Sequence, residues 1–123
     1  MTPKISSAEW EVMNVVWEKS PVTAVEVCNA LPHARWKQKT VNTFLARLGG
    51  KGVLKITKQG NVNLYTPRLR REDCVANEGD SFLHRVFGGA PASLMLHFCE
   101  RAEFTPEEIK QLERILKAKK AGK

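Results

Sequence analysis

The spacing of apolar residues changes once along this chain, from the period of a helix to the alternation of a strand. In "WKQKTVNTFLARLGGKG" the apolar side chains recur at steps of three, one and three; they are Val41, Phe44, Leu45 and Leu48. Directly afterwards, "VLKITK" and "VNLYTP" alternate apolar with polar residues around a central "QGN". Such alternation is typical of two strands joined by a short turn. The sequence therefore predicts a helix followed at once by a β-hairpin.

Two further helices are predicted before that helix, and each begins with a capping box. The boxes pair Ser6 with Glu9 and Thr23 with Glu26. The first helix should end before Pro21, and its core face should comprise Trp10, Met13, Val16 and Trp17. The second should end before Pro32, and we expect it to bury Val25, Cys28 and Leu31.

The order of these elements is that of a winged helix-turn-helix. Three short helices precede a two-stranded hairpin, and three glycines that should end the third helix lie between them: Gly49, Gly50 and Gly52. The third helix is then the groove-reading helix and the hairpin is the wing. We expect a mainly α (α+β) fold, with a winged-helix DNA-binding domain at residues 1–70.

Residues 71–123 are expected to form a helical dimerisation region. Apolar stripes recur in "REDCVANEGDSFLHRVFGG", "PASLMLHFCER" and "TPEEIKQLERILKAKK", where Thr105 caps the last helix. About 50 residues hold too little apolar mass for a core of their own, so these stripes should be buried across a dimer axis or against the N-terminal domain. The candidate dimer contacts are Phe82, Leu83, Val86, Phe87, Leu94, Met95, Phe98, Ile109, Leu112 and Leu116.

The positive charge is concentrated in one segment. The chain has a net charge of +7, yet residues 27–71 contain no Asp or Glu and hold ten of the 20 Lys and Arg, at positions 35, 37, 39, 47, 51, 55, 58, 68, 70 and 71. The rest of the chain holds the other ten cations against 13 acids. A surface without acids is what a partner of a polyanion requires.

The predicted groove-reading helix carries the side chains that DNA recognition needs. Short polar residues can reach base edges, and Asn in particular can bond an adenine through two hydrogen bonds. Cations and the helix N-terminus can hold phosphates. The candidate DNA contacts are Lys37, Gln38, Lys39, Thr40, Asn42, Thr43 and Arg47 on the helix, with Lys58 and Asn61 at the hairpin.

Three stretches also resemble the penicillinase repressor family of the BlaI/MecI type. They are "ISSAEWEVMNVVWEK", "KTVNTFLARLGGKGVL" and "LYTP", and the similarity continues into "FTPEEIKQLERILK". The resemblance implies a homodimeric winged-helix repressor on a palindromic operator, often with TACA/TGTA half-sites, that silences genes such as those for β-lactamase. It also implies that four residues face the operator: Lys39, Thr40, Asn42 and Thr43.

Two positions depart from the pattern of the family's β-lactamase regulators. These regulators commonly have arginine at the position of Asn42, which implies a different base preference nearby. They are inactivated through a membrane sensor-protease by cleavage of an Asn-Phe bond, and the pair aligned with it here is His97-Phe98. The copper-responsive branch carries a C-terminal cysteine cluster, of which only Cys99 is present, so copper sensing is not expected.

Other classes of function find little support. His33, His84 and His97 are scattered, no HExxH or GxSxG motif occurs, and "GGKG" lacks the spacing of a phosphate-binding loop, so no enzyme and no cofactor are expected. Cys28, Cys74 and Cys99 lack metal or disulfide spacing. With no membrane-spanning run or secretion signal, a cytoplasmic protein is expected. A protein-interaction adaptor and a non-specific architectural DNA binder remain as alternatives.

Overall fold

The computed structural model describes residues 3–32 and 36–122, and within them the chain is mainly helical with one two-stranded antiparallel sheet. The predicted fold class is therefore confirmed. His33, one of the three scattered histidines, and Arg35, one of the cations of the basic segment, lie outside the described residues. The elements are α1 (Ser7–Lys19), α2 (Ala24–Ala30), α3 (Gln38–Gly50), β1 (Leu54–Gln59), β2 (Val62–Pro67), α4 (Arg71–Phe87), α5 (Pro91–Arg101) and α6 (Pro106–Lys120).

Local sequence signals account for the starts of α1 and α2. The Glu9 N–H donates to Oγ of Ser6 at 3.2 Å and the Ser6 N–H donates to Oε1 of Glu9 at 2.9 Å, which completes the predicted box. The reciprocal bonds between Thr23 and Glu26 measure 3.2 and 2.8 Å. Each box satisfies backbone donors that a helix start leaves free, so both helices begin where the sequence predicts.

The prediction for the buried face of α2 was wrong at Val25. This side chain is 48% exposed, whereas Val27 is fully buried together with Leu31. Val27 and Leu31 are four residues apart and share one face of the helix, while Val25 lies about 200° around the axis from Val27. Because α2 has only seven residues, it packs through that single edge, and Val25 points away from the core.

Helix α3 buries the face that its spacing predicts. Val41, Leu45 and Leu48 are inaccessible to solvent, and Phe44 is half-buried against them. The three glycines do not all end the helix, contrary to expectation, because Gly49 lies inside it. A Cβ atom at Gly49 would lie 2.9 Å from Cδ1 of Ile56, so glycine at this position lets strand β1 approach α3 closely.

The hairpin has a register that alternation alone did not reveal. Ile56 lies opposite Tyr65, and the backbones of Tyr65 and Val22 exchange hydrogen bonds of 2.8 and 3.2 Å. Residues paired across strands share a face, so the core face of β2 carries the buried Tyr65. Val62 and Leu64, the predicted apolar positions of β2, therefore lie on the opposite face from Leu54 and Ile56.

The described chain divides into two compact units, Met1–Gly79 and Asp80–Lys123. The buried core comprises Ile5, Val12, Met13, Val16, Val22, Val27, Leu31, Val41, Leu45, Leu48, Val53, Leu54, Tyr65 and Cys74, all within the first unit. Trp10 and Trp17 of the predicted α1 face are half-buried against it. None of the described helices is long and apolar enough to cross a bilayer.

Candidate nucleic-acid interface

The predicted DNA contacts on α3 form two adjacent stripes. Residues four apart lie above one another on a helix, so Gln38, Asn42 and Ala46 make one stripe. Lys39, Thr43 and Arg47 make the next stripe, one step around the helix. All six are exposed, as is Lys37 at the N-cap, while Thr40 is half-buried. The structure thus presents the predicted helix residues to solvent on one side of the core.

The N-terminus of α3 is open, in contrast to those of α1, α2 and α6. Each of these three begins with a capping box, and the box of α6 joins Thr105 to Glu108 as predicted. Lys37, at the N-cap of α3, makes no side-chain capping bond, and the first turn contains no acidic residue. Free backbone N–H groups and the positive end of the helix dipole suit an anion such as a phosphate.

Thr43 is oriented by a bond within its own helix. Its hydroxyl donates to the backbone carbonyl of Lys39 at 3.1 Å. Because the hydroxyl proton is used in this bond, Thr43 offers a partner its hydroxyl oxygen only as an acceptor, together with the apolar methyl. Among base edges, the C5-methyl of thymine is the apolar counterpart of such a methyl.

The hairpin places one lysine on the side that continues toward α3. Lys58 lies opposite Asn63, two residues from the Ile56–Tyr65 pair, so both pairs share a face of the sheet. Lys55 lies on the other face, and Asn61 belongs to the turn between the strands. The predicted hairpin contacts, Lys58 and Asn61, are both exposed.

A recess of about 450 Å³ lies between α2, α3 and the hairpin. It brings together three predicted contacts, Gln38, Asn42 and Asn61. The other lining residues were not predicted as contacts from the sequence; they are Thr23, Ala24, Val25, Ala46, Ile56, Val62, Asn63 and Tyr65. They lie in three separate segments. Val25, Ile56 and Val62 are apolar like core residues, and only the structure shows that they are exposed.

Lys51 belongs to the basic segment but is directed inward. Its Nζ lies 2.6 Å from Oε1 of Glu9 and 2.9 Å from the carbonyl oxygen of Lys4. Burial by itself raises the pKa of the Glu9 carboxyl, but the bonds from Lys51 and Ser6 together outweigh it and hold that pKa below its ordinary value of 4.5. Lys51 therefore stabilises the fold, and its charge is not free for a phosphate.

The predicted dimer contacts of the second unit are all at least partly exposed. In α5 and α6 no described residue is buried. Phe82 and Phe87 are in ring contact with centroids 5.9 Å apart, and Phe87 contacts His97 at 5.8 Å. Leu83, Leu94, Met95 and Leu112 are half-buried, while Val86, Phe98, Ile109 and Leu116 are 42–56% exposed.

A three-helix core, a hairpin wing and an open helix α3 without acids define a winged-helix DNA-binding protein. The model of the family described as penicillinase repressor matches residues 5–118. The chain therefore belongs to the penicillinase repressor family, a family of DNA-binding transcriptional repressors and not of enzymes. The family assignment made from the sequence is confirmed.

Individual relatives agree with this assignment. The penicillinase repressor of Bacillus licheniformis is 39% identical over 122 residues, covering 98% of this chain and 95% of that protein. The methicillin resistance regulatory protein MecI of Mammaliicoccus sciuri is 34% identical over 119 residues, covering 96% and 97%. The solution structure of monomeric Bacillus licheniformis BlaI in complex with the blaP half-operator is 42% identical with a TM-score of 0.51, covering 59% of this chain and 90% of that chain.

Proposed function

We propose that this protein represses transcription by binding a palindromic DNA operator as a homodimer in the cytoplasm, the compartment of the DNA. The observation that carries the proposal is the exposed, acid-free surface of α3 with its open N-terminus beside the hairpin. A relative of this chain binds a half-operator as a monomer. A half-site of TACA/TGTA type for each subunit is the corresponding expectation here.

The exposed side chains of α3 are proposed to have two roles. Lys37, Lys39 and Arg47 hold phosphates and set the register of the helix on the duplex. Gln38, Thr40, Asn42 and Thr43 read base edges in the major groove. Lys58 and Asn61 hold the backbone that flanks the groove. The absence of acids along residues 27–71 removes the repulsion that would oppose these contacts.

Dimerisation is assigned to residues 71–123, and the DNA-binding domain to residues 1–70. Apolar side chains of α5 and α6 lie exposed, and a groove of about 550 Å³ between these helices is lined by Pro91, Ala92, Met95, Leu96, Cys99, Leu116 and Lys119. An exposed apolar surface of this kind favours association with a second copy. The two copies would then place two α3 helices about one turn of DNA apart, or a multiple of it.

The proposal extends to inactivation at the His97-Phe98 bond by a membrane sensor-protease system. Both residues lie within α5, with Phe98 in its last turn, and their rings are in contact at 5.2 Å. A protease needs an extended substrate, so cleavage at this bond requires that α5 first unfold locally.

Selection of bound duplexes from a random DNA pool tests the function. A repressor of this type recovers a palindrome and holds it about 10³-fold or more tightly than unrelated DNA. Recovery of no consensus would favour an architectural binder, and absence of DNA binding would favour a protein-interaction adaptor. Sedimentation of the full chain at micromolar concentration tests the dimer, since a monomer there would contradict it.

A further inference from the structure

The second unit has no core of its own. Among residues 80–122, all of which the structure describes, no side chain is buried. Val86, Leu96 and Leu116 are each more than half exposed. The first unit, by contrast, contains the whole buried cluster of the described chain. Burial of apolar surface is the main force that stabilises a fold, and in a single copy it contributes little to the second unit.

The ring contacts of this unit join mainly residues of the same helix. Phe82 and Phe87 both belong to α4, and His97 and Phe98 both belong to α5. Between helices, the ring of Phe87 contacts that of His97, with centroids 5.8 Å apart. Neither ring is buried, so this contact between α4 and α5 remains open to solvent. Contacts within one helix do not hold that helix against its neighbours.

The helices of the second unit also have limited stability of their own. Isolated helices shorter than about 12–15 residues are marginal in water. Helix α5 has 11 residues, and Ala90 at its N-cap makes no side-chain capping bond, whereas α6 has 15 residues and a complete capping box. Gly79, in the interior of α4, lies where the two units divide, and glycine inside a helix lowers the stability of that helix. Helix α5 and the end of α4 therefore depend most on what covers them.

A second copy of the chain fits this surface by charge. The first turn of α6 carries Glu107 and Glu108, and its last turn carries Lys117, Lys119 and Lys120. Two such helices packed side by side across a perpendicular two-fold axis run antiparallel, so the acidic end of each lies beside the basic end of the other. DNA would be repelled by the acidic end and would leave the apolar side chains uncovered. The surface is therefore complementary to itself.

We propose that α5, α6 and the part of α4 beyond Gly79 are stably folded only when a second copy covers them. Dimerisation and the folding of residues 80–122 are then a single step. This inference rests on the proposed function, from which it takes the dimer. It adds that the monomer consists of a folded first unit with an unfolded extension.

Coupled folding determines how the repressor responds to its own concentration. Pairing must offset the conformational entropy of ordering residues 80–122 as well as the cost of bringing two chains together. The dimer is therefore weaker than its apolar surface alone would make it. Because the first unit contains the whole core, it stays folded and can still contact a half-site as a monomer. Occupation of a palindrome then falls when the protein concentration drops below the dissociation constant of the dimer.

The test follows folding and association of the full-length protein in the same samples. The wild type is diluted through the dissociation constant of the dimer, which sedimentation measures, and circular dichroism records the helical signal. This signal should fall by somewhat less than half on dissociation, because α5, α6 and the end of α4 contribute that share of the helical residues. The first unit should retain the rest.

The variant Leu116→Lys separates loss of the partner from loss of helix propensity. Lysine suits the last turn of a helix, and Leu116 is 56% exposed, so the substitution does not damage an isolated α6. It places a charge on the apolar stripe and should give a monomer. In hydrogen–deuterium exchange, the amides of α5 and α6 in this monomer should exchange within about tenfold of the rates of an unstructured chain, while α1 and α3 stay protected.

The matched control is Gln111→Lys, which adds the same charge to the same helix. Gln111 is exposed and lies about 200° around the axis from Ile109, away from the apolar stripe. This variant should remain a dimer with the helical signal of the wild type.

Failure of this inference is distinguishable from failure of the proposed function. A Leu116→Lys monomer that keeps the wild-type helical signal and protected α5 and α6 overturns the coupling and leaves the dimeric repressor intact. An unchanged helical signal while sedimentation shows the wild type dissociating does the same. A wild type that is monomeric at every concentration contradicts the proposed dimer and this inference together, whereas selection of bound duplexes tests operator binding independently.

Discussion

Lys51 and Glu9 join the end of α3 to the start of α1 through an ion pair of 2.6 Å between Nζ and Oε1. Glu9 is only 2% exposed, and the same oxygen accepts the N–H of Ser6 that closes the capping box of α1. Lys51 also donates to the carbonyl oxygen of Lys4. The Glu9 carboxylate thus bonds both the start of α1 and the end of α3, so the position of α3 depends on the charge of Glu9.

Replacement of Glu9 by glutamine should destabilise the fold by about 1–2 kcal/mol at pH 7, because Lys51, whose side chain is 35% exposed, loses a charged partner that is itself buried. The folded-state pKa of Glu9 lies below its ordinary value of 4.5. The stabilisation is therefore complete above about pH 4.5 and is lost as the pH falls through the folded-state pKa. Urea unfolding of both proteins at several pH values measures the difference.

The difference in unfolding free energy between wild type and Glu9→Gln should shrink as the pH falls below 4.5. Glu18→Gln, at an exposed position of α1, serves as the control and should cost little at any of these pH values. If the difference in unfolding free energy stays the same below pH 4.5, the charge of Glu9 does not stabilise the contact between α1 and α3.

Two tryptophans of α1 offer a matched comparison. Nε1 of Trp17 donates to the carbonyl oxygen of Leu69 at 3.0 Å, whereas Nε1 of Trp10 is buried with no acceptor in reach among the described residues. Both rings are half-buried, and their centroids are 5.5 Å apart. Trp17→Phe should therefore cost about 1–2 kcal/mol more unfolding free energy than Trp10→Phe, which removes the same atoms but no hydrogen bond.

Chemical denaturation followed by circular dichroism gives both values without relying on tryptophan fluorescence. Equal costs for the two variants would show that the bond between Trp17 and Leu69 contributes nothing measurable. The comparison also tests how the segment after the hairpin is held to α1, because Leu69 lies two residues beyond the end of β2.

Lysines on opposite faces of the hairpin should differ in their effect on DNA binding. Lys58 shares the face of Ile56 and Asn63, and Lys55 lies on the other face. The logarithm of the DNA-binding constant falls linearly with the logarithm of the salt concentration. Loss of one phosphate contact per subunit makes this fall less steep, by about 2 in the magnitude of the slope for a dimer. Lys58→Ala should show this change in operator titrations from 50 to 200 mM salt, while Lys55→Ala should leave the slope nearly unchanged. Equal effects of the two substitutions would indicate that both lysines attract DNA only through their general positive charge, and that Lys58 makes no specific phosphate contact.

The sequence was sufficient to predict the features that depend on residues close together in the chain. Capping boxes span three residues, so the starts of α1, α2 and α6 could be located from Ser6, Thr23 and Thr105. The exposed face of α3 followed from its period of 3.6, which also identified Asn42 and Thr43 as accessible. These features need no knowledge of the rest of the chain.

Features that depend on distant segments could not be predicted in this way. Alternation identifies a strand but not its partner, and only the register opposite Ile56 places Tyr65 in the core. The charge of Lys51 looked available to DNA because Glu9 lies 42 residues earlier in the chain. The recess requires α2, α3 and both strands to converge, which no single stretch encodes.

A fragment that ends at Gly79 should fold as a monomer and bind poorly to the full operator. It retains the whole described core, including Cys74, which is 1% exposed and would be lost by a cut at residue 70. The fragment should bind an isolated half-site about as well as the full chain does. On the palindrome the full chain should be about 10²-fold tighter or more, because its second half-site contact is intramolecular. Similar affinities of the two proteins for the palindrome would refute dimerisation through residues 71–123.

Two substitutions of Thr43 can show whether its hydroxyl or its methyl contacts a base. Its hydroxyl already donates to the carbonyl of Lys39, so we expect the methyl to contact a thymine. Thr43→Ser removes the methyl and should weaken operator binding by about tenfold for two half-sites, at about 0.8 kcal/mol per buried carbon. Thr43→Val keeps a methyl there and should stay within about twofold, since the helix propensities of the three residues are similar.

Deoxyuridine in place of individual thymines identifies the partner of this methyl. At one position in each half-site the replacement should weaken binding of the wild type but not of Thr43→Ser, because the same contact is already missing. Other thymines should show equal losses for both proteins. If Thr43→Val binds poorly while Thr43→Ser binds normally, the hydroxyl and not the methyl contacts the base.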